Sequence, residues 1–385
     1  MKQRILAELA DLESRAQLRH LETSRGIDLV SNDYLGLATD PRMKQAVHEA
    51  LDAAPRVAST GSRLLSGHDE GWTTVENNFA RWTGAEAALY FTSGYAANIG
   101  LLSSILRPED VIFSDSANHA SLIDGMRLAK SKRVILPHLD LNALEAELRW
   151  AHSGSGARFI VVESIFSMDG DRAPLREIAT LAARYEAELI VDEAHATGVF
   201  GPEGRGCVAE AGLTGRVFAT VHTCGKALAA AGAFVCGSEP LQRFLINRAR
   251  TFIFNTALPP YFAGQVAAGM QLAAAAEAER AQLAELSIFL RNALLGNGFD
   301  IAGSDSHIVP IVLGSNDAAV AYASLLQSRG YGIRAIRPPT VPPGTARLRV
   351  SLTAKLTRAI LLDFVDALIQ IRSEISTAQA TSLPQ

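Results

Sequence analysis

The chain has 385 residues, 48% of them hydrophobic and 20% charged, with a net charge of −4, which allows a large buried core and more than one domain. Its lysines and arginines are dispersed rather than gathered in runs, so it carries no electrostatic footprint for nucleic acid or an anionic membrane. Three cysteines, Cys207, Cys224 and Cys236, lack metal-ligand spacing and point to a reducing compartment, with the cytoplasm as the expectation, and to no disulfide framework. Glu8, Asp11 and Glu13 come too early for the apolar region of a signal peptide, and no uncharged apolar run reaches membrane-spanning length.

In chain order, leucines and alanines at helical spacing predict an amphipathic helix within residues 3–23, followed by a short strand at Ile27–Val30. Asp40-Pro41 supplies an N-cap and a first-turn proline for a helix to about Ala53, and the Gly and Ser content of residues 59–67 marks a turn-rich loop. From about 75 to 240, short apolar runs alternate with helical stretches. The runs are Ala87–Phe91, Val111–Phe113, Arg133–Leu136, Phe159–Val162, Leu189–Val191 and Phe218–Val221. Such alternation predicts a mostly parallel sheet covered by helices on both faces. The pattern then changes to one long helix over 261–296, strands near His307–Val312, Tyr331–Ala335 and Ala346–Leu352, a helix over 356–373, and a polar tail expected to fray from Ser373. No internal repeat is visible.

Two segments carry the chemistry. Lys226 lies in Thr223-Cys224-Gly225-Lys226-Ala227, and Asp192 follows the largely apolar stretch Ala187–Val191, which places its carboxylate at a strand's carboxyl end, where open α/β sheets bind ligands. A pyridoxal-phosphate enzyme needs these two groups: a lysine to carry the cofactor as a Schiff base and a carboxylate to hold the pyridine nitrogen protonated. Taken singly, a lysine after glycine is an ordinary surface residue and an aspartate after a strand an ordinary N-cap. Thr92-Ser93-Gly94-Tyr95 sits between a strand and a helix, where backbone amides with Ser93 or Thr92 can hold a phosphate, or Ser93 can simply cap the helix. His119 follows another strand and can stack on a pyridine ring. Ser167 can hydrogen-bond a ring substituent, and His195 can face the phenolic oxygen. Asp192, Glu193 and His195 could also be metal ligands, but no second cluster completes such a site, and none is expected. Thr220 and Ala227 stand where a P-loop needs Gly and Ser or Thr, so Gly225-Lys226 does not make one. Prolines stiffen the loop around Arg337, a carboxylate-binding candidate, and either Arg347 or Arg349, which share a strand face, could be a second anchor.

Ser31-Asn32-Asp33-Tyr34-Leu35-Gly36, Ser66-Gly67-His68, Ser93-Gly94-Tyr95, Asn118-His119-Ala120-Ser121, Ser167-Met168-Asp169-Gly170-Asp171, Asp192-Glu193-Ala194-His195-x-Thr197-Gly198 and Thr223-x-Gly225-Lys226 run in order over nearly the whole chain. Together they resemble the α-oxoamine synthases. The resemblance implies a fold-type-I transferase of the α/β class, with a large domain of mostly parallel sheet between helices and a smaller α+β C-terminal domain. The expected divisions are an N-terminal segment 1–40, a pyridoxal 5'-phosphate-binding domain 41–285, the small domain 286–375 and a tail 376–385. It also implies a homodimer with a shared active site.

By motif match, Lys226 would bind the cofactor covalently, Asp192 pair with the pyridine nitrogen, His119 stack on the ring, and Ser167 and His195 lie near the phenolic oxygen. Ser93, Gly94, Tyr95 and Thr223 would line the cofactor and its phosphate, with Thr256 reaching the phosphate across the dimer interface. Arg337 would bind the amino acid carboxylate, alone or shared with Arg349, and Thr340 and Arg19 would lie near the acyl substrate. The stretch Ile336–Arg349 is most similar to members that condense L-alanine with a pimeloyl thioester carried on CoA or acyl-carrier protein. Members acting on glycine or serine, and a non-catalytic protein keeping the fold, are the alternatives; the intact Lys226, Asp192, His119 and His195 set argues against the last. Cys224 departs from the Leu, Phe or Ser expected before Gly-Lys and concerns local packing.

Overall fold

The computed structural model describes residues 1–21, 23, 25–151 and 155–381, with side chains to residue 377. Two compact units divide the chain. One comprises Leu35–Phe166 and Arg172–Arg280; the other comprises Met1–Tyr34, Ser167–Asp171 and Ala281–Gln385.

The first unit is built on seven strands: β1 (Ala87–Phe91), β2 (Val111–Asp115), β3 (Lys132–Leu136), β4 (Arg158–Glu163), β5 (Ala187–Asp192), β6 (Ala219–Thr223) and β7 (Ala233–Gly237). Their order in the sheet is β1-β7-β6-β5-β4-β2-β3. All run the same way except β7, which pairs antiparallel with both β1 and β6. The sequence reading had six of these strands. β7 went unread because its five residues follow a run of alanines and glycines that looks like loop, and an inserted reverse strand breaks the β-helix-β rhythm that identified the others.

Alternation along the strands sends side chains to two covered faces. On one face Leu89, Phe91, Ile112, Val161, Ile190, Val221 and Val235 pack with Leu101, Leu102, Leu122 and Leu245 from helices. On the other, Phe79 of helix Glu70–Thr83 stacks on Phe234 at 3.9 Å between centroids, and Trp72 stacks on Tyr90 at 4.4 Å. Burying both faces explains why the strands read as continuous apolar runs. The helix predicted from Asp40-Pro41 spans Pro41–Ala53, and the Asp40 carboxylate accepts the Arg42 N–H at 2.8 Å.

In the second unit, Ile308–Gly314, Ala346–Ser351 and Ala335–Ile336 form an antiparallel sheet, and Ile27–Asp28 pairs in parallel with Tyr331–Gly332. Three helix limits differ from the reading. The N-terminal helix stops at Ser14, where the chain turns through Arg15 and Ala16, the latter with φ of 51°. The single helix expected over 261–296 is two, Tyr261–Ala275 and Glu277–Gly296, broken where Ala276 leaves helical geometry at ψ of 48°. The tail expected from Ser373 continues the last helix to Thr381, since alanine, serine, glutamate and glutamine there contain no breaker.

Candidate active site

Five parallel strand ends converge on one cavity of about 300 Å³, lined among others by Ser93, Gly94, Tyr95, His119, Asp192, His195, Thr223 and Lys226. β1 ends at Phe91 and feeds the helix Gly94–Ile105; β2 feeds the helix Ala120–Ala129; β4 ends at Glu163, β5 at Asp192 and β6 at Thr223. The fold thus carries sequence-distant residues to the carboxyl edge of one sheet.

Lys226 lies in the β6–β7 connection. Its Nζ is 3.0 Å from Nε2 of His195, which is buried. Asp192 is 4% exposed; Oδ1 accepts the Ala194 N–H at 2.9 Å, and Oδ2 accepts Asn98 Nδ2 at 2.7 Å. His119 opens into the cavity, and its backbone N–H donates to Glu163 Oε1 at 2.6 Å. Partial desolvation lowers the His119 pKa; the Asp192 charge opposes this shift and Lys226 adds to it.

The phosphate corner is built by backbone. Ser93 caps its helix, its Oγ accepting the Ala96 N–H at 3.0 Å, while the first-turn amides of Gly94 and Tyr95 have no carbonyl to meet within the helix. A Cβ on Gly94 would sit 2.6 Å from Cγ2 of Thr223, so this corner is kept open by the missing side chain. Thr223 Oγ1 donates to the Ala194 carbonyl at 3.3 Å, and the Tyr95 hydroxyl to Asp124. A lysine, a carboxylate, an imidazole face and a helix start around one cavity are the donor set that pyridoxal phosphate needs.

Glu193, weighed in the sequence as a metal ligand, turns away. It is fully buried and accepts Ser164 Oγ at 2.8 Å and the N–H groups of Cys207 at 3.0 Å and Val208 at 2.6 Å. Burial raises its pKa to about 7. Among the described residues no group of three or more His, Cys, Asp or Glu is placed to hold a metal. Behind this turn, Thr197 Oγ1 donates to the Glu193 carbonyl at 2.7 Å and meets Nδ1 of the buried His222 at 2.9 Å; His222 Nε2 meets Thr220 Oγ1 at 2.8 Å.

Thr256 is exposed and bridges to Ser62, beside a small recess that includes Arg63 and Trp72. Ser167, Arg19, Arg337 and Thr340 belong to the second unit. There Arg347 is buried in an ion pair with Asp169, and buried Arg349 donates to the Ser167 carbonyl at 2.5 Å and to Asn32 Oδ1 at 3.2 Å. Among the described residues Arg337 donates to the carbonyls of Ala16 and Leu18, and Arg19 donates to Thr340 Oγ1 at 2.9 Å. Desolvation, and after it the charge of Arg19, lower the Arg337 pKa. No carboxylate among the described residues pairs with Arg19 or Arg337.

The sequence reading gave no role to Asn98, Ser121 or Glu163, all buried in this cavity wall. Asn98 had a readable signal: it is a polar residue beside Ala97 and one turn before Leu101, on the face a helix gives to the core.

The family model for class I and II aminotransferases matches residues 24–368. The chain is 43% identical to an 8-amino-7-oxononanoate synthase of Anaeromyxobacter sp. (strain K), covering 92% of this chain and 88% of that one, and 40% identical to one of Geobacter sulfurreducens, covering 97% and 99%. Among solved structures it is similar to a serine palmitoyltransferase of S. paucimobilis, at TM-score 0.89, 27% identity, 97% of this chain and 98% of that chain. It is also similar to an 8-amino-7-oxononanoate synthase of Francisella tularensis, at TM-score 0.77, 28% identity, 92% and 99%. No helix among the described residues is long and apolar enough to cross a membrane. The chain therefore belongs to the class I and II aminotransferase family and, within it, to the α-oxoamine synthases.

Proposed function

We propose that this chain uses pyridoxal 5'-phosphate to condense L-alanine with a pimeloyl thioester, giving 8-amino-7-oxononanoate, CO2 and the free thiol carrier, a step of biotin assembly. The observation that carries the proposal is the cavity that brings Lys226, Asp192, His119 and His195 to one sheet edge. Identity chooses the member: 40–43% to two 8-amino-7-oxononanoate synthases outweighs the 27% to a serine palmitoyltransferase, since the high TM-score of the latter reports only a shared fold.

When bound, the cofactor supplies an electron-accepting ring that stabilises negative charge at the amino acid Cα. The chain's own residues do the rest. Lys226 Nζ, 3.0 Å from Nε2 of His195, takes the Cα proton. The carbon then attacks the thioester carbonyl: a C–C bond forms, the C–S bond breaks, and the thiolate leaves and takes a proton. The β-keto carboxylate loses CO2, and one proton returns to Cα. Asp192, with two lone-pair directions already used by Ala194 and Asn98, would hold the proton on the ring nitrogen of the bound cofactor. The first-turn amides of Gly94 and Tyr95 would hold its phosphate. Arg337, with Arg19 and Thr340, binds the substrate carboxylates, Arg347 being committed to Asp169.

The active form is a homodimer in which Thr256 reaches the partner's phosphate. Leu64, Leu65, Val57 and Phe254 are large exposed apolar side chains, Phe254 and Leu65 at 70% and 84% exposure, on the segments that carry Ser62 and Thr256. Such a surface calls for cover.

The test is thiol release by purified protein loaded with pyridoxal phosphate, offered L-alanine, glycine or L-serine with pimeloyl or palmitoyl thioesters. Turnover confined to L-alanine and pimeloyl donors supports the assignment; turnover confined to glycine or serine refutes it and keeps the family.

A further inference from the structure

Asn98 is 1% exposed and uses both amide hydrogens: Nδ2 donates to Asp192 Oδ2 at 2.7 Å and to Ser121 Oγ at 2.9 Å. Its Oδ1 is buried without a partner. Leaving Oδ1 unsatisfied is costly, yet the flipped amide would press Oδ1 against the Asp192 carboxylate, so the acid fixes which way the amide points. Ser121 Oγ, accepting from Asn98, has its own hydrogen left for its remaining neighbour, His119 Nδ1, at 2.7 Å. The Ser121 backbone N–H points at the same nitrogen, at 3.2 Å. Two donors converge on Nδ1, which therefore carries no proton.

We propose that Asn98 and Ser121 are positioning residues that transmit the charge of Asp192 to His119, fixing its neutral tautomer with Nδ1 bare and the proton on Nε2. The direction of every hydrogen bond in the chain follows from the carboxylate: Asp192 accepts, Asn98 donates twice, Ser121 passes the polarity on, and His119 accepts. The groups that face His119 are Asp192, Lys226 and Glu163, the last through the backbone N–H. Burial favours the same neutral ring. On the cofactor reading of the cavity, on which this consequence rests, an uncharged imidazole stacks on a protonated pyridine ring without like-charge repulsion, and Nε2–H is left to donate to a bound ligand.

The experiment is long-range 1H–15N NMR on the full-length chain labelled with 15N-histidine, loaded with pyridoxal phosphate and stripped of it, with His119→Asn identifying the signal among the nine histidines. The expected result is the neutral Nε2–H pattern from pH 8 to pH 6 in both states. Ser121→Ala removes the hydroxyl donor and shifts His119 to a mixture of tautomers, while Ser121→Thr restores the native pattern. Asn98→Asp keeps the shape and reverses the polarity; the Ser121 hydroxyl turns to the new carboxylate and the pattern is again lost, with cofactor binding about tenfold weaker, the equivalent of one hydrogen bond. An imidazolium or an Nδ1–H ring at pH 7 in the unmodified chain overturns the proposal even if every variant fails to fold. So does a native pattern surviving in both Ser121→Ala and Asn98→Asp. Failure of pyridoxal phosphate to give any visible band refutes the cofactor reading alone, because the tautomer is still read in the stripped chain.

Discussion

His222 makes the site's foundation sensitive to acid. It sits on β6, fully buried between Thr197 and Thr220, and burial lowers its pKa to about 3. Unfolded, the imidazole titrates near 6.5. Between these values the unfolded chain binds a proton that the native chain refuses, so stability rises with pH through the window. It is complete above pH 6.5 and lost as pH falls toward 3. Acidification from pH 7 to pH 4 crosses about 2.5 pH units of that window, a loss of about 3 kcal/mol from this one side chain. His222→Gln keeps a donor for Thr197 and an acceptor for Thr220 but does not titrate. Urea unfolding at pH 7, 6, 5 and 4, followed by the fluorescence of buried Trp72 and Trp82, gives the comparison. The variant is expected to start less stable at pH 7 and to lose about 3 kcal/mol less on the way to pH 4. Equal losses in the two chains would refute the argument, because every other titrating group is common to both.

Arg63 and Glu76 form an ion pair with side chains 9% and 7% exposed, and Glu76 also accepts the Tyr90 N–H at 2.8 Å. Arg63→Met leaves that carboxylate buried and unpaired and is expected to cost about 3–5 kcal/mol in denaturant unfolding, with Glu76→Gln recovering part of it in the double variant. Gly94→Ala drives a Cβ to 2.6 Å from Thr223 Cγ2. Its cost is about 1–3 kcal/mol, with weaker pyridoxal phosphate binding by absorbance titration; Thr223→Ser, which removes that methyl and keeps the hydroxyl, restores binding.

The residues that line the cavity were more legible in the sequence than the frame around them. Lys226, Asp192, His119 and His195 stand at strand ends, and strand ends were readable because doubly covered strands are short apolar runs. Ser121 stands in the Asn118–Ser121 motif and Asn98 lies just beyond Ser93-Gly94-Tyr95, yet neither position reveals a task, since what they do depends on contacts across 94 and 23 residues of chain that no spacing displays. Strand β7 was lost for a related reason: a reverse strand entering between β1 and β6 is a fact of pairing. The break at Ala276 was invisible because alanine is the best helix former, and only the tertiary setting ends the helix there. The arginines of the last strand shared a face as expected, but their partners Asp169, Asn32 and the Ser167 carbonyl come from distant segments, so spacing left open a choice that the contacts narrow.

The reverse strand also decides what can move. Because β7 returns beside β6, the segment carrying Lys226 is clasped at its base: Thr223 pairs with Ala233, the Cys224 N–H donates to the Gly232 carbonyl at 2.9 Å, and the Ala230 N–H donates to the Cys224 carbonyl at 2.9 Å. Gly232 completes the clasp with φ of 86° and the Tyr90 hydroxyl where a Cβ would go, so glycine alone fits. In the role proposed for Lys226, an amine that lets go of one partner and later returns to it would travel on its methylene chain, with its backbone anchored. Rotamer changes of that kind occur far faster than loop rearrangement, and departure and return of the lysine need no opening of the protein.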